Sequence, residues 1–190
     1  MTNAPIIVVS GLPRSGTSMA MRLLVAGGIP ALTDGIRAPD PDNPHGYFEF
    51  ERVKQLKTDH GWLAGAAGRA VKVIHMLLPD LPADLEYRVV FMERDLREVI
   101  RSQDLMLQRA GKRGGALPPD RLMAMYSAQL AHVDRELSAR PRTRVLRVAH
   151  RGLIERPAAE VRRISEFLGG NLDENAMVAA VDPSLHRNRA

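Results

Sequence analysis

The sequence predicts an α/β fold, a three-layer sandwich with a mostly parallel central sheet between helices. Three observations predict it. Four apolar, β-branched segments have the composition of strands buried on both faces: Ile6 to Val9, Ala70 to Ile74, Arg88 to Met92 and Arg144 to Val148. Longer stretches of helical periodicity separate them, the alternation of a parallel sheet flanked by helices. The first segment also runs straight into a glycine-containing turn, Gly11-Leu12-Pro13-Arg14-Ser15-Gly16, and then into a helical pattern. A chain of 190 residues is long enough for one core and short for two, so residues 1–190 are read as a single domain.

The elements follow in order. After the turn, Met19 to Leu24 continue as a helix with Ala20, Leu23, Leu24 and Gly27 on one face. A second helix is expected over Phe50 to Leu63. The third begins after Arg94, where Asp95 caps and Glu98, three residues on, has capping-box spacing; Leu96, Val99, Ile100 and Leu107 form its stripe. A fourth spans Asp120 to Leu137. The last opens on Pro157, carries Val161, Ile164, Phe167 and Leu168 inward, and stops at Gly169-Gly170. Two long irregular stretches, Gly27 to Gly46 and Arg109 to Pro119, are of the length that serves function more often than connection.

Composition narrows the chemistry. There is no cysteine, which excludes disulfides, thiolate metal sites and a cysteine nucleophile. Only 4% of residues are aromatic, so aliphatic and methionine side chains carry the packing. The net charge is +5, and all but Lys54, Lys57, Lys72 and Lys112 of the 27 basic residues are arginine. That bias favours anions such as phosphate or sulfate. No long basic block or RNA-binding motif points to nucleic acid. Met1 to Ala4 lacks the charged start of a signal peptide, and no apolar run reaches membrane-spanning length. A cytoplasmic protein with no membrane partner is expected. The His and acidic residues show no metal-site spacing, so no metal is expected. Oligomeric state cannot be read.

The turn after the first strand nearly spells a phosphate-binding loop. Gly11 and Gly16 have the glycine spacing of GxxxxGK[ST], but Thr17 stands where that pattern demands lysine. A strand, a glycine turn and a helix start make an anion site because the first N–H groups of the helix lack partners and its dipole is positive there. Thr17 and Ser18 add hydroxyls, and Arg14 supplies a full charge from within the loop. The missing lysine disfavours a nucleoside-triphosphate enzyme. A ligand-free strand-to-helix turn is the plainer alternative.

Pro13-Arg14-Ser15-Gly16-Thr17-Ser18 closely resembles the loop of sulfotransferases, a branch of the phosphate-loop (P-loop) folds. In that family a basic residue followed by Ser-Gly-Thr-Thr or similar grips a 5′-phosphosulfate. The resemblance implies 3′-phosphoadenosine 5′-phosphosulfate (PAPS) as donor, with 3′,5′-bisphosphoadenosine (PAP) as product. Arg14, Ser15, Gly16, Thr17 and Ser18 then take the 5′ end. The family's 3′-phosphate ligands are an arginine at a strand end and a serine eight residues later, and Arg94 and Ser102 have that spacing. Ser102 is placed on the polar side of its helix, about 10 Å beyond Asp95. Weaker likenesses are Asn43 to Glu49, similar to an "NPxGYFE" stretch, and Phe167-Leu168-Gly169. Pro183 to Arg187 looks like a tail in which a basic residue, Arg187, closes over the nucleotide.

The implied reaction moves a sulfuryl group in line, without a metal ion, to a hydroxyl or amine of a small-molecule or glycan acceptor. Such an acceptor needs a general base. Glu49 is one candidate, resembling a glutamate on the segment after the first helix, although Glu49 or Glu51 can equally begin the next helix. His75, ending the second strand, is another, since ligands bind at the carboxyl ends of such strands. It departs from the family's Lys-Thr-His, because Lys72 and His75 are one residue further apart. His45 is a third. Trp62 either stacks on adenine or belongs to the core, and Met106, Met123 and Met125 line either core or acceptor pocket. Two other functions stay open: a nucleotide-binding module without catalysis, and a small-molecule kinase.

Overall fold

The computed structural model describes residues 4–38, 40, 43, 46–109, 111 and 117–182. Strands β1 (Ile6–Gly11), β2 (Ala70–Lys72), β3 (Tyr87–Glu93) and β4 (Thr143–Ala149) form one sheet in the order β2-β1-β3-β4. Every pairing is parallel, with Val8 opposite Val71 on one side and Val89 on the other, and Val89 opposite Val145. Among the described residues the α-helices are α1 (Thr17–Ala26), α2 (Leu96–Arg109), α3 (Pro119–Ser138), α4 (His150–Glu155), α5 (Pro157–Leu168) and α6 (Glu174–Ala179).

The strand period of two sorts β1 between two cores. Ile6 and Val8 face one, with Trp62, Leu78, Phe91, Val133 and Leu137; Ile7 and Val9 face the other, with Leu23, Leu24, Met92, Val161 and Met177. All six β1 residues are buried, as a continuous apolar run predicts. The result is the expected three-layer α/β sandwich. Trp62 lies in the first core, edge-on to Phe50 with ring centroids 5.6 Å apart.

Three differences from expectation have local causes. The single helix over 50–63 is instead two 3-10 turns, Glu51–Gln55 and Gly61–Gly65. Asp59 divides them: its Oδ1 accepts from Gly61 N at 3.1 Å, its backbone carbonyl accepts from Trp62 Nε1, and Arg52 pairs with its carboxylate. A side chain that binds the backbone two residues on competes with helix continuation. β2 ends at Lys72 rather than at Ile74, and a 3-10 turn containing Pro79 begins at His75. Helices α4 and α6, six residues each, were too short to show periodicity.

The remaining boundaries agree closely. Asp95 Oδ1 accepts from Arg97 N and Glu98 N at the start of α2. Pro157 opens α5, and Gly169 (φ 123°) closes it, its N–H and that of Gly170 returning to the last turn. Among the described residues, no helix is long and apolar enough to cross a membrane.

Candidate functional site

From β1 the chain passes through α1 to β2 on one side and then crosses back to β3 on the other. The carboxyl ends of β1 and β3 therefore flank the point where the winding reverses, where open α/β sheets leave a crevice. The loop Leu12–Gly16 stands there. Ser15 N donates to Leu12 O and Ala20 N to Gly16 O, so the turn closes tightly onto the first turn of α1. Its geometry is demanding: Gly16 has φ 101° and Arg14, not a glycine, has φ 72°. Among the described residues Phe48 is the other non-glycine with positive φ, and its neighbours Tyr47 and Glu49 face the same crevice. Backbone strain gathers where function fixes geometry.

The crevice is a cavity of about 330 Å³. The loop contributes Arg14, Gly16, Thr17 and Ser18; the end of β3 contributes Arg94; β2 contributes Lys72. Arg37, Tyr47 and Glu49 enter from the long segment before β2, and His150 from the end of β4. Three arginines, one lysine and the Glu49 carboxylate thus line one cavity.

Two of these cations are held by the loop's surroundings. Arg14 Nε donates to Ser102 Oγ at 3.0 Å. Arg94 Nη1 donates to Arg14 O at 3.1 Å, and its Nε pairs with Glu98 Oε2 at 2.8 Å, both side chains being largely buried. Ser102 is itself buried, at 3% exposure, and its hydroxyl meets the loop through Arg14. The Ser15 hydroxyl is buried inside the loop with no hydrogen-bond partner among the described residues.

The opposite wall is a second charged group. Glu49 Oε1 accepts from Arg37 Nη1 at 2.8 Å and lies 3.8 Å from Lys72 Nζ. The Arg37 guanidinium stacks 3.3 Å over the Tyr47 ring, and Tyr47 OH donates to Asp40 at 2.7 Å. Burial, together with that Asp40 bond, pushes the Tyr47 phenol up to about 12. Lys72 donates to the Tyr47 carbonyl and is 11% exposed. Burial pulls its ammonium down to about 8, against the attraction of Glu49.

His75 lies elsewhere. It is 3% exposed, with Nε2 2.9 Å from Gln129 Oε1 of α3, and burial lowers its pKa. β2 ends at Lys72 and a 3-10 turn begins at His75, which sets that ring against Gln129 of α3 while Val73 and Ile74 stay on the cavity wall. Glu51 opens the 3-10 turn; Glu49 does not. Arg187 and His45 lie outside the described residues. The sequence reading missed Arg37, Tyr47, His150 and the part played by Lys72. His150 was findable by the rule that selected His75, because it too follows the carboxyl end of a strand. It packs on the loop, its Cδ2 2.6 Å from where a Cβ on Gly16 would sit. No group of three His, Asp or Glu that could hold a metal ion occurs among the described residues.

A parallel sheet with a phosphate-type loop at its switch point defines the class. More particularly, the fold is that of sulfotransferase domains. The sulfotransferase domain of the Synechococcus PCC 7002 olefin synthase is 16% identical with a TM-score of 0.51, over 98% of this chain and 87% of that one. The sulfotransferase domain from the curacin biosynthetic pathway gives 16%, 0.51, 96% and 89%. Retinol dehydratase, solved with androsterone and the inactive cofactor PAP, gives 20% and 0.54 over 95% of this chain. This chain spans only 64% of the retinol dehydratase chain. No family model and no curated protein matches the sequence.

Proposed function

We propose that this protein is a sulfotransferase that moves a sulfuryl group from PAPS to a hydroxyl of a small-molecule acceptor, in line and without a metal ion. The observation that carries the reading is the arrangement of cations in the crevice. Arg14 within the loop, Arg94 at the end of β3 and Lys72 at the end of β2 stand around the half-buried start of α1. A donor with phosphates at both ends of a ribose needs separated positive points of this kind, and PAP is the molecule held by the retinol dehydratase neighbour.

The residues fit that donor. The first N–H groups of α1 and the Thr17 and Ser18 hydroxyls suit the 5′ end. Arg94, anchored by Glu98, suits the 3′-phosphate, with Ser102 acting through Arg14 rather than facing the ligand itself. When bound, the donor supplies an activated sulfur whose bond to the 5′-phosphate oxygen breaks. Arg14 and Lys72 oppose the charge that collects on the departing phosphate and the moving group. Glu49 takes the acceptor's proton as its oxygen bonds to sulfur, and Arg37 orients that carboxylate.

Thermal unfolding tests the reading. PAP raises Tm in a concentration-dependent way, because a ligand that binds only the folded state stabilises it by mass action. ATP with magnesium gives the smaller shift. The reverse order sinks the proposal in favour of a kinase. Tight PAP binding with no sulfated product across broad acceptor sets would favour the non-catalytic module.

A further inference from the structure

Six large apolar side chains are exposed among the described residues, and three of them, Ile74, Met76 and Met125, sit on segments that pack together. Ile74, on the cavity wall, is 46% exposed and Met76, two residues on, is 55% exposed. Both belong to the chain leaving β2, whose 3-10 turn packs on α3. Met125 of α3 is 37% exposed. It stands one helical turn before Gln129, the partner of His75, and beside Tyr126, whose hydroxyl donates to Gln103 of α2 at 2.6 Å. Gln103 in turn donates to Pro13 O in the phosphate loop, and Met106, one turn along α2, lines the cavity. Ile74 and Met106 line the cavity itself, and the bonds from loop to α2 to α3 to His75 hold the segments that carry Met76 and Met125 next to it.

We infer that this apolar surface is the acceptor subsite and that it takes an alcohol or phenol carried on an apolar body, not a glycan. The inference rests on the sulfotransferase reading and fixes its acceptor class. Glu49, Lys72, Ile74 and Met106 line one cavity, so an acceptor whose hydroxyl meets that carboxylate has Ile74 and Met106 within the same crevice for the rest of its body. The alcohol oxygen forms the new bond to sulfur, its proton passes to Glu49, and the 5′-phosphate oxygen leaves with the bond's electron pair. Methionine and isoleucine offer soft apolar contact with no donor and at most the weak thioether acceptor for sugar hydroxyls. Exposed apolar surface continuous with a polar pocket marks a binding site. Arg14 and Arg94 stand at the loop, while Ile74 follows Lys72 on the β2 side and Met106 lines the same cavity, so one crevice offers both charge and apolar surface.

Calorimetric titration of the full chain with 4-butylphenol and with methyl β-galactoside, each with and without PAP, tests this. The phenol is expected to bind and the glycoside not. The double variant Ile74→Asn/Met76→Gln, altered only at exposed positions, should weaken phenol binding by about tenfold. PAP binding should stay unchanged in that variant. Val25→Gln, an exposed apolar residue near the far end of α1, serves as control and leaves phenol binding intact. Phenol binding equal in the double variant and the wild type overturns the inference, as does preference for the glycoside. If PAP binds and the phenol does not, the acceptor class falls alone. If the phenol binds in a variant-sensitive manner while PAP does not, the sulfotransferase reading falls and the apolar subsite stands.

Discussion

Gly16 meets two requirements at once, and each is met by the absence of a side chain. Its φ of 101° lies in the left-handed region, and a Cβ there would sit 2.6 Å from the His150 ring. Gly16→Ala is therefore expected to cost about 1–3 kcal/mol of stability and to lower PAP affinity, measured by denaturant unfolding and by titration. An unchanged stability would mean that the loop and the His150 ring yield freely. At this scale the sequence exposed half of the site. Gly16, Arg14 and Arg94 were legible because local spacing carries the signal. Arg37 and Tyr47 were not, because a long loop brings them to the crevice and its path depends on tertiary contacts. His75 was read as ending the second strand, but β2 stops at Lys72 and the 3-10 turn that begins at His75 places it against α3.

Elements were legible where a cap or a proline marks their ends and opaque where they are short. Helices α2 and α5 show boundary chemistry that the structure uses. The segment 50–63 has helical spacing, but the local bonds of Asp59 redirect it into two turns. Helix α6 has its own device: Asp173 accepts from Ala176 N at 2.9 Å, and the helix packs on α1 and α5 away from the crevice. Asp173→Ala is expected to destabilise the protein by about 1 kcal/mol, seen as a lower midpoint in urea. PAP affinity should hold in this variant. A loss of affinity comparable to that of Gly16→Ala would show that α6 couples to the loop through α1.

For the molecule as a whole, the sheet order and the cation distribution make one electrostatic prediction, and it centres on Lys72. Its ammonium is drawn down to about 8 by burial, with Arg37 nearby and Glu49 as the opposing charge. Below that value Lys72 is charged in both folded and unfolded chains, so the burial cost is fully present. As pH rises from about 8 towards the ordinary lysine value, the folded lysine is neutral while the unfolded one keeps its proton. The unfolded state then binds more protons, and this group's contribution to stability rises with pH across that window. A polyanion in the crevice reverses the preference, because it favours the charged amine. PAP binding at pH 8.5 is thus expected to take up protons, and affinity should fall as pH climbs through the window. Titration in buffers of different ionisation enthalpy measures that uptake directly. Lys72→Met should abolish most of it while also raising the stability of the free protein near pH 7, where the buried charge is no longer carried. Proton uptake identical in wild type and Lys72→Met would place the titrating group elsewhere and remove Lys72 from the donor's electrostatic field.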